Sequence, residues 1–112
     1  PEEEIGRYGI CDVDDMGTIR RVIEKPRPDE TSSRWAIAAR YCFGARLMAA
    51  LREWHADYSV EHPVGEFSLT PGFQWAIAQG FELKAVALQP GQARVDCGTP
   101  EEYQAARRMG WD

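Results

Sequence analysis

Strand-like patterning on either side of a stretch with helical spacing, followed by a last helix, predicts one α/β layer domain. Size and composition agree. A chain of 112 residues encloses one core rather than two, because a domain near this size buries roughly 65% of the surface its unfolded chain exposes. Its 44% hydrophobic and 28% charged residues are the balance of a folded globular protein. No internal repeat or low-complexity linker divides it, so residues 1–112 are expected to be a single domain.

Residues 7–13 and 18–24 are rich in strand formers. Between them Asp14-Asp15-Met16-Gly17 combines turn-favouring aspartates with a glycine able to adopt positive φ, which predicts a hairpin. Pro26 and Pro28 end the second strand, and residues 25–33 read as a polar loop. Residues 35–43 are apolar except for Arg40, as in a central strand covered on both faces. Leu47, Met48, Leu51 and Trp54 then fall at helical spacing and predict an amphipathic helix over 45–55. Residues 66–79 form a second helical stretch interrupted by Pro71-Gly72, so the firm helix is expected from about Pro71 to 79. Strands are expected over 81–88 and 93–97, across a Pro90-Gly91 turn. Thr99-Pro100-Glu101-Glu102 combines a capping hydroxyl, a first-turn proline and acids near the positive end of the helix dipole, which starts a last helix over 100–109.

The net charge of −5 argues against a nucleic-acid surface, so an anionic ligand has to be met by local cations. No apolar run approaches the roughly 18 residues that span a bilayer, and the first residues are acidic, unlike a basic secretory signal. A cytoplasmic chain is the expectation. A removed start methionine and a piece cut from a longer protein both account for a chain beginning at Pro1. Cys11, Cys42 and Cys97 are widely spaced and beside apolar neighbours, which points to reduced, buried thiols rather than disulfides or a zinc ribbon. His55 and His62, near Asp57 and Glu61, lack the spacing of a defined ligand set. Trp35, Trp54, Trp75 and Trp111 read as packing residues, since no basic residues interleave them as in base-stacking grooves.

Chemistry concentrates at strand ends. Glu24-Lys25-Pro26 sets a carboxylate acceptor for sugar hydroxyls beside an ammonium able to neutralise a phosphate, with a proline fixing the exit of the chain. A plain surface Glu-Lys pair is the alternative. On the neighbouring strand Gly9 permits a ligand to approach the backbone closely, or marks an ordinary bulge. Asp96, before the Gly98 turn, is a hard oxygen donor of the kind magnesium takes, or a solvated turn aspartate.

Arg7-Tyr8-Gly9-Ile10, Val22-Ile23-Glu24-Lys25-Pro26, Ala36-Ile37 through Arg40-Tyr41, Gly65-Glu66 through Leu69-Thr70, and Asp96-Cys97-Gly98-Thr99-Pro100-Glu101-Glu102-Tyr103 occur in that order. Together they resemble the C-terminal half of the sugar-1-phosphate nucleotidylyltransferases, in particular the bacterial UTP:glucose-1-phosphate uridylyltransferases, over nearly the whole chain. The resemblance implies a Rossmann-like mixed sheet flanked by helices, as in the C-terminal portion of a nucleotide-diphospho-sugar transferase fold. It also implies synthesis of UDP-glucose and pyrophosphate from UTP and glucose 1-phosphate, with Mg2+ as cofactor. By resemblance, the backbone of Gly9 meets the sugar, Glu24 holds sugar hydroxyls, Lys25 is the catalytic cation on the sugar phosphate, and Asp96 is a magnesium ligand. The sugar-phosphate oxygen would attack the α-phosphorus of UTP in line, with catalysis by positioning and charge neutralisation.

Three positions depart from the family: Ala39 where glycine is usual, Pro71 where aspartate follows the Leu-Thr pair, and Arg34 where asparagine is common. The glycine-rich nucleotide loop and the partner magnesium aspartate do not occur in these residues. Two readings follow. One is the sugar-phosphate-binding half of an enzyme, inactive alone, whose nucleotide-binding half is a separate chain or the rest of a longer one. The other is a non-catalytic sugar-phosphate-binding or assembly module derived from that family. Glucose 1-phosphate or UDP-glucose is the expected ligand, a homo-oligomer the expected state, and neither nucleic acid nor membrane an expected partner.

Overall fold

The structure is a computed structural model that describes residues 2–63 and 68–110. The Gly65-Glu66 pair and Trp111 lie outside the described residues. A 3₁₀ turn, Glu2–Arg7, leads into strand β1 (Gly9–Val13), followed by β2 (Ile19–Glu24), β3 (Trp35–Ala36) and helices α1 (Ala45–Glu61), α2 (Thr70–Ala78) and α3 (Pro100–Arg108). The α/β class expected from the patterning is what forms. Its sheet has the order β2-β1-β3, and both pairings are antiparallel.

The hairpin closes at the turn anticipated from Asp14 and Gly17. The Asp14 carboxylate accepts hydrogen bonds from the Met16 and Thr18 backbone N–H groups, each at 2.9 Å, and Gly17 adopts φ 75°. Val13 pairs with Ile19 through a bulge that shifts the register after Asp12. These bonds, the one from Thr18 N–H foremost, hold the Asp14 carboxyl below the usual aspartate range.

β1, not residues 35–43, is the central strand. Ile10 and Cys11 point to opposite faces and both are buried, so both faces of β1 are covered. On one face Cys11 and Val22 join Leu47 and Leu51 of α1 with Phe73 and Ala76 of α2 in the main core cluster. Only Trp35 and Ala36 of the expected 35–43 strand pair with β1, and both are exposed. Ala39 interrupts the extended chain with φ 52°, and the apolar side chains beyond β3 serve packing: Ile37 and Phe43 lie against the core. The strand expected over 81–88 is reduced to a bridge between Lys84 and Thr18, and residues 93–97 join no ladder among the described residues. Strands need partners, and β1 already has β2 and β3 on its two edges. The outer edge of β2 is closed by other means, since Val22 N–H donates to the Gln74 side chain of α2 and Ile19 N–H to the Leu83 carbonyl.

The helices keep close to their expected starts. α1 continues beyond residue 55 to Glu61. α2 begins at Thr70 with Pro71 in its first turn, so Pro71-Gly72 opens the helix rather than interrupting it. A Cβ on Gly72 would stand 2.6 Å from Trp54 Cζ3, so the glycine is what lets α1 and α2 approach. α3 has the full capping box: Thr99 Oγ1 accepts from Glu102 N–H, and Glu102 accepts from Thr99 N–H. Of the cysteines only Cys11 is buried; Cys42 and Cys97 are exposed, which corrects the expectation of three buried thiols, because both lie on segments outside the core cluster. No helix among the described residues is long and apolar enough to cross a membrane.

Two outcomes follow from this packing. Trp54 cannot easily swing aside, because its ring sits against Tyr58 at 4.7 Å and Trp75 at 6.2 Å. Gly72→Ala therefore overpacks the α1–α2 contact at a cost of about 1–3 kcal/mol, more than the roughly 1 kcal/mol gained in helix propensity, and thermal melts should show a lower Tm. Asp14→Asn should melt below the parent at neutral pH. Because the folded pKa of Asp14 is depressed, its stabilisation is complete above the unfolded value of about 3.9 and fades as pH falls through the folded value. The Tm gap between parent and Asp14→Asn should accordingly close on acidification below about pH 4 and stay constant above it.

Candidate functional site at the open end of the sheet

The core face of the hairpin runs into the candidate site. Gly9 is paired with Glu24, two residues along each strand from the buried Cys11–Val22 pair, so the Glu24 side chain emerges on the same face. The structure thus brings Gly9, Glu24 and Lys25 together. Lys25 Nζ lies 4.0 Å from Glu24 Oε1, and both side chains reach solvent.

The surroundings of Glu24 contain Thr70, Ile37 and Tyr41, which stand in the family-like motifs but to which no role was assigned from sequence. Thr70, the first residue of α2, is buried and donates its hydroxyl to Glu24 Oε2 at 2.5 Å. A Cβ placed on Gly9 would meet Ile37 Cδ1 at 3.0 Å, Glu24 Oε2 at 3.4 Å and Thr70 Oγ1 at 3.4 Å. Gly9 is therefore closely packed by one apolar and two polar groups, and its lack of a side chain is what lets them approach the backbone. The Tyr41 ring packs 5.1 Å from Phe73, and its hydroxyl is pushed above the usual tyrosine range by burial and then by the neighbouring acids, the Cys11 thiol once it ionises at high pH and the Glu24 carboxylate. Cys11 is itself raised by burial and by neighbouring Asp12, so it stays a neutral thiol at physiological pH.

Backbone strain marks two positions near this end. Lys25 holds φ 44° and Ala39 φ 52°, in the left-handed region that costs a residue with a Cβ roughly 1–2 kcal/mol. Strain at Lys25 turns the chain out of the ladder while its N–H still donates to the Tyr8 carbonyl at 3.1 Å. Ala39 is the position where the resembled family has glycine, and its dihedral supplies the reason a glycine suits it.

Asp96 reaches the same end of the sheet indirectly. It is ion-paired with Arg94 at 2.5 Å, and the Arg94 guanidinium lies over the Tyr8 ring, 4.7 Å from its centroid. Arg7 also approaches that ring, at 5.9 Å, and pairs with Glu102 of α3 at 3.3 Å. Arg7 and Arg94 thus flank Tyr8, just before β1, and with Lys25 each is paired with a carboxylate in a chain whose net charge is −5. Arg94 had no sequence signal, since a single arginine in a short strand-like segment is ordinary. For magnesium the fit is partial: Asp96 offers one carboxylate already partnered by Arg94, and no group of three His, Cys, Asp or Glu able to hold a metal occurs among the described residues.

Comparison with known proteins bears on what such a site serves. A UTP–glucose-1-phosphate uridylyltransferase of Haloferax volcanii, AglF, is 29% identical over 107 residues, covering 95% of this chain and 40% of that protein. The chain is similar to sugar-1-phosphate nucleotidylyltransferases over nearly its whole length. A UTP–glucose-1-phosphate uridylyltransferase of Pseudomonas aeruginosa is 26% identical, covering 100% of the chain and 39% of that protein. The low-salt glycan biosynthesis nucleotidyltransferase Agl11 of Haloferax volcanii is 26% identical over 103 residues, 92% of the chain and 26% of its own length. The chain therefore spans between a quarter and two fifths of these relatives. No protein-family model matches it, and no solved structure does.

The strain at Lys25 is separable from its charge. Lys25→Gly should melt above Lys25→Ala by the cost of a left-handed Cβ less the entropy of the glycine, about 1 kcal/mol, or roughly 4–8 °C in a domain of this size. Equal melting temperatures for the two variants would show that residue 25 carries no strain.

Proposed function

We propose that this chain is the sugar-phosphate-binding part of a nucleotidylyltransferase that makes UDP-glucose and pyrophosphate from UTP and glucose 1-phosphate, and that it is inactive alone. The observation that carries the reading is the convergence of Gly9, Glu24 and Lys25 at one end of the hairpin, in a chain similar to uridylyltransferases. In this reading the Gly9 backbone lies against the sugar, Glu24 accepts from its hydroxyls, and Lys25 neutralises its phosphate. Holding that phosphate in line with the nucleotide is the main source of rate, since positioning converts a bimolecular step into an effectively unimolecular one. Asp96 supplies one carboxylate to the magnesium ion of the complete assembly; the remaining ligands come from phosphates and from residues outside this chain. The three antiparallel strands are then one flank of a larger Rossmann-like mixed sheet.

Missing sheet partners favour this reading too. Beyond the bridge at Lys84, Val86 and Leu88 are 90% and 53% exposed and join no ladder among the described residues, as expected of a strand whose neighbour belongs to the nucleotide-binding half. The same exposure favours a second reading, an assembly module that pairs with a copy of itself. Pyrophosphate release separates the two. The 112-residue chain with UTP, glucose 1-phosphate and magnesium should give none, and adding a nucleotide-binding half should restore it. Lys25→Ala in that assembly should lower the rate about a hundredfold to a thousandfold without unfolding the chain. Turnover by the chain alone, or a full rate from Lys25→Ala at saturating glucose 1-phosphate, would overturn the proposal.

A further inference from the structure

We infer that Thr70 is a positioning residue of this site, holding Glu24 in the orientation from which it accepts from a sugar hydroxyl; the inference rests on the function proposed above. Glu24 ends β2, and beyond it the chain turns away at strained Lys25. A glutamate at such an end has a flexible side chain with two equivalent oxygens. Here the oxygens are made unequal. Oε2 is taken from within by the buried Thr70 hydroxyl at 2.5 Å, while Oε1 lies on the Lys25 side, 4.0 Å from Nζ. The oxygen left toward the cation is the one placed to accept from a hydroxyl of a hexose whose phosphate meets Lys25.

The packing around Gly9 holds the same pair in place. Thr70 Oγ1 and Glu24 Oε2 both lie 3.4 Å from the position a Cβ on Gly9 would take, so hydroxyl and carboxylate close directly over the glycine backbone. Ile37 Cδ1, at 3.0 Å from the same point, packs beside them. Because Thr70 opens α2, whose Phe73 and Ala76 are in the core, the hydroxyl is fixed by the packing of a helix and not by a loop. A charged acceptor held by a neutral donor on a packed element is pre-organised for a polar ligand.

The test is steady-state kinetics of the complete assembly with Thr70→Val and Thr70→Ser. Thr70→Val should raise KM for glucose 1-phosphate about tenfold or more and leave KM for UTP unchanged, because only the sugar-facing acceptor is released. Thr70→Ser, which keeps the hydroxyl, should stay within about twofold of the parent. Adding Thr70→Val to Glu24→Gln should have little further effect, since the two residues act through one bond. If Thr70→Val does not fold, Thr70→Cys replaces it with the same expectations, a thiol being a weak donor. A KM for glucose 1-phosphate unchanged in Thr70→Val, or raised equally with and without Glu24→Gln, overturns the positioning role and leaves the proposed function standing. An assembly with no dependence on glucose 1-phosphate overturns both.

Discussion

The pairing of β1 with β2 is the constraint on which the other elements depend. Strand side chains alternate between faces, so a slip of one residue in this register would send Glu24 to the opposite face, away from Gly9 and Thr70, and would take Val22 out of the core. Two devices fix the register. At the closed end Asp14 ties down the turn through backbone N–H groups, and along the edge Gln74 of α2 occupies Val22 N–H, which no strand satisfies. The second device also docks α2, and α2 in turn delivers Thr70 to Glu24. Fold and candidate site are consequences of one ladder.

At the open end of that ladder the chemistry runs against the rest of the chain. The protein is acidic overall, yet Arg7 and Arg94 flank Tyr8, just before β1, and Lys25 follows the Gly9–Glu24 pair. Each is paired with a carboxylate, Arg7 with Glu102, Lys25 with Glu24 and Arg94 with Asp96, so an incoming anion competes with these partners within the roughly 8–10 Å reach of a screened charge. Strained backbone at Lys25 and Ala39 lies in the same part of the chain, and strain of this kind persists only where surrounding structure imposes it. Buried Pro26 and the β1–β2 ladder do so at Lys25; at Ala39 the flanking anchors are β3 and the aromatic contacts of Tyr41 and Phe43 with Phe73.

Helix packing shows how a local liability becomes a structural requirement. Pro71 and Gly72 are poor residues for a helix interior, but at the start of α2 the proline loses no hydrogen bond and the glycine admits Trp54. That contact joins α1 to α2 near the end of the sheet where Thr70 meets Glu24. A weaker α1–α2 contact would therefore be felt at the site, through the position of the first turn of α2.

The sequence alone determined what depends on near neighbours. The Asp14–Gly17 turn, the capping box at Thr99 and Glu102, the starts of α1, α2 and α3, and the adjacency of Glu24 and Lys25 follow from residue types within a few positions of one another, where dihedral preference and hydrogen-bonding reach act directly. The tertiary structure decided what depends on distant segments. Residues 35–43, 81–88 and 93–97 have the composition of strands, but a strand forms only against a partner, and the availability of a partner is not written in the segment itself. Thr70 and Glu24 stand 46 positions apart, and Arg94 and Tyr8 still further, so no spacing announces either contact. The left-handed backbone at Ala39 was equally hidden, because alanine prefers other dihedrals and only the packing on either side of it imposes this one.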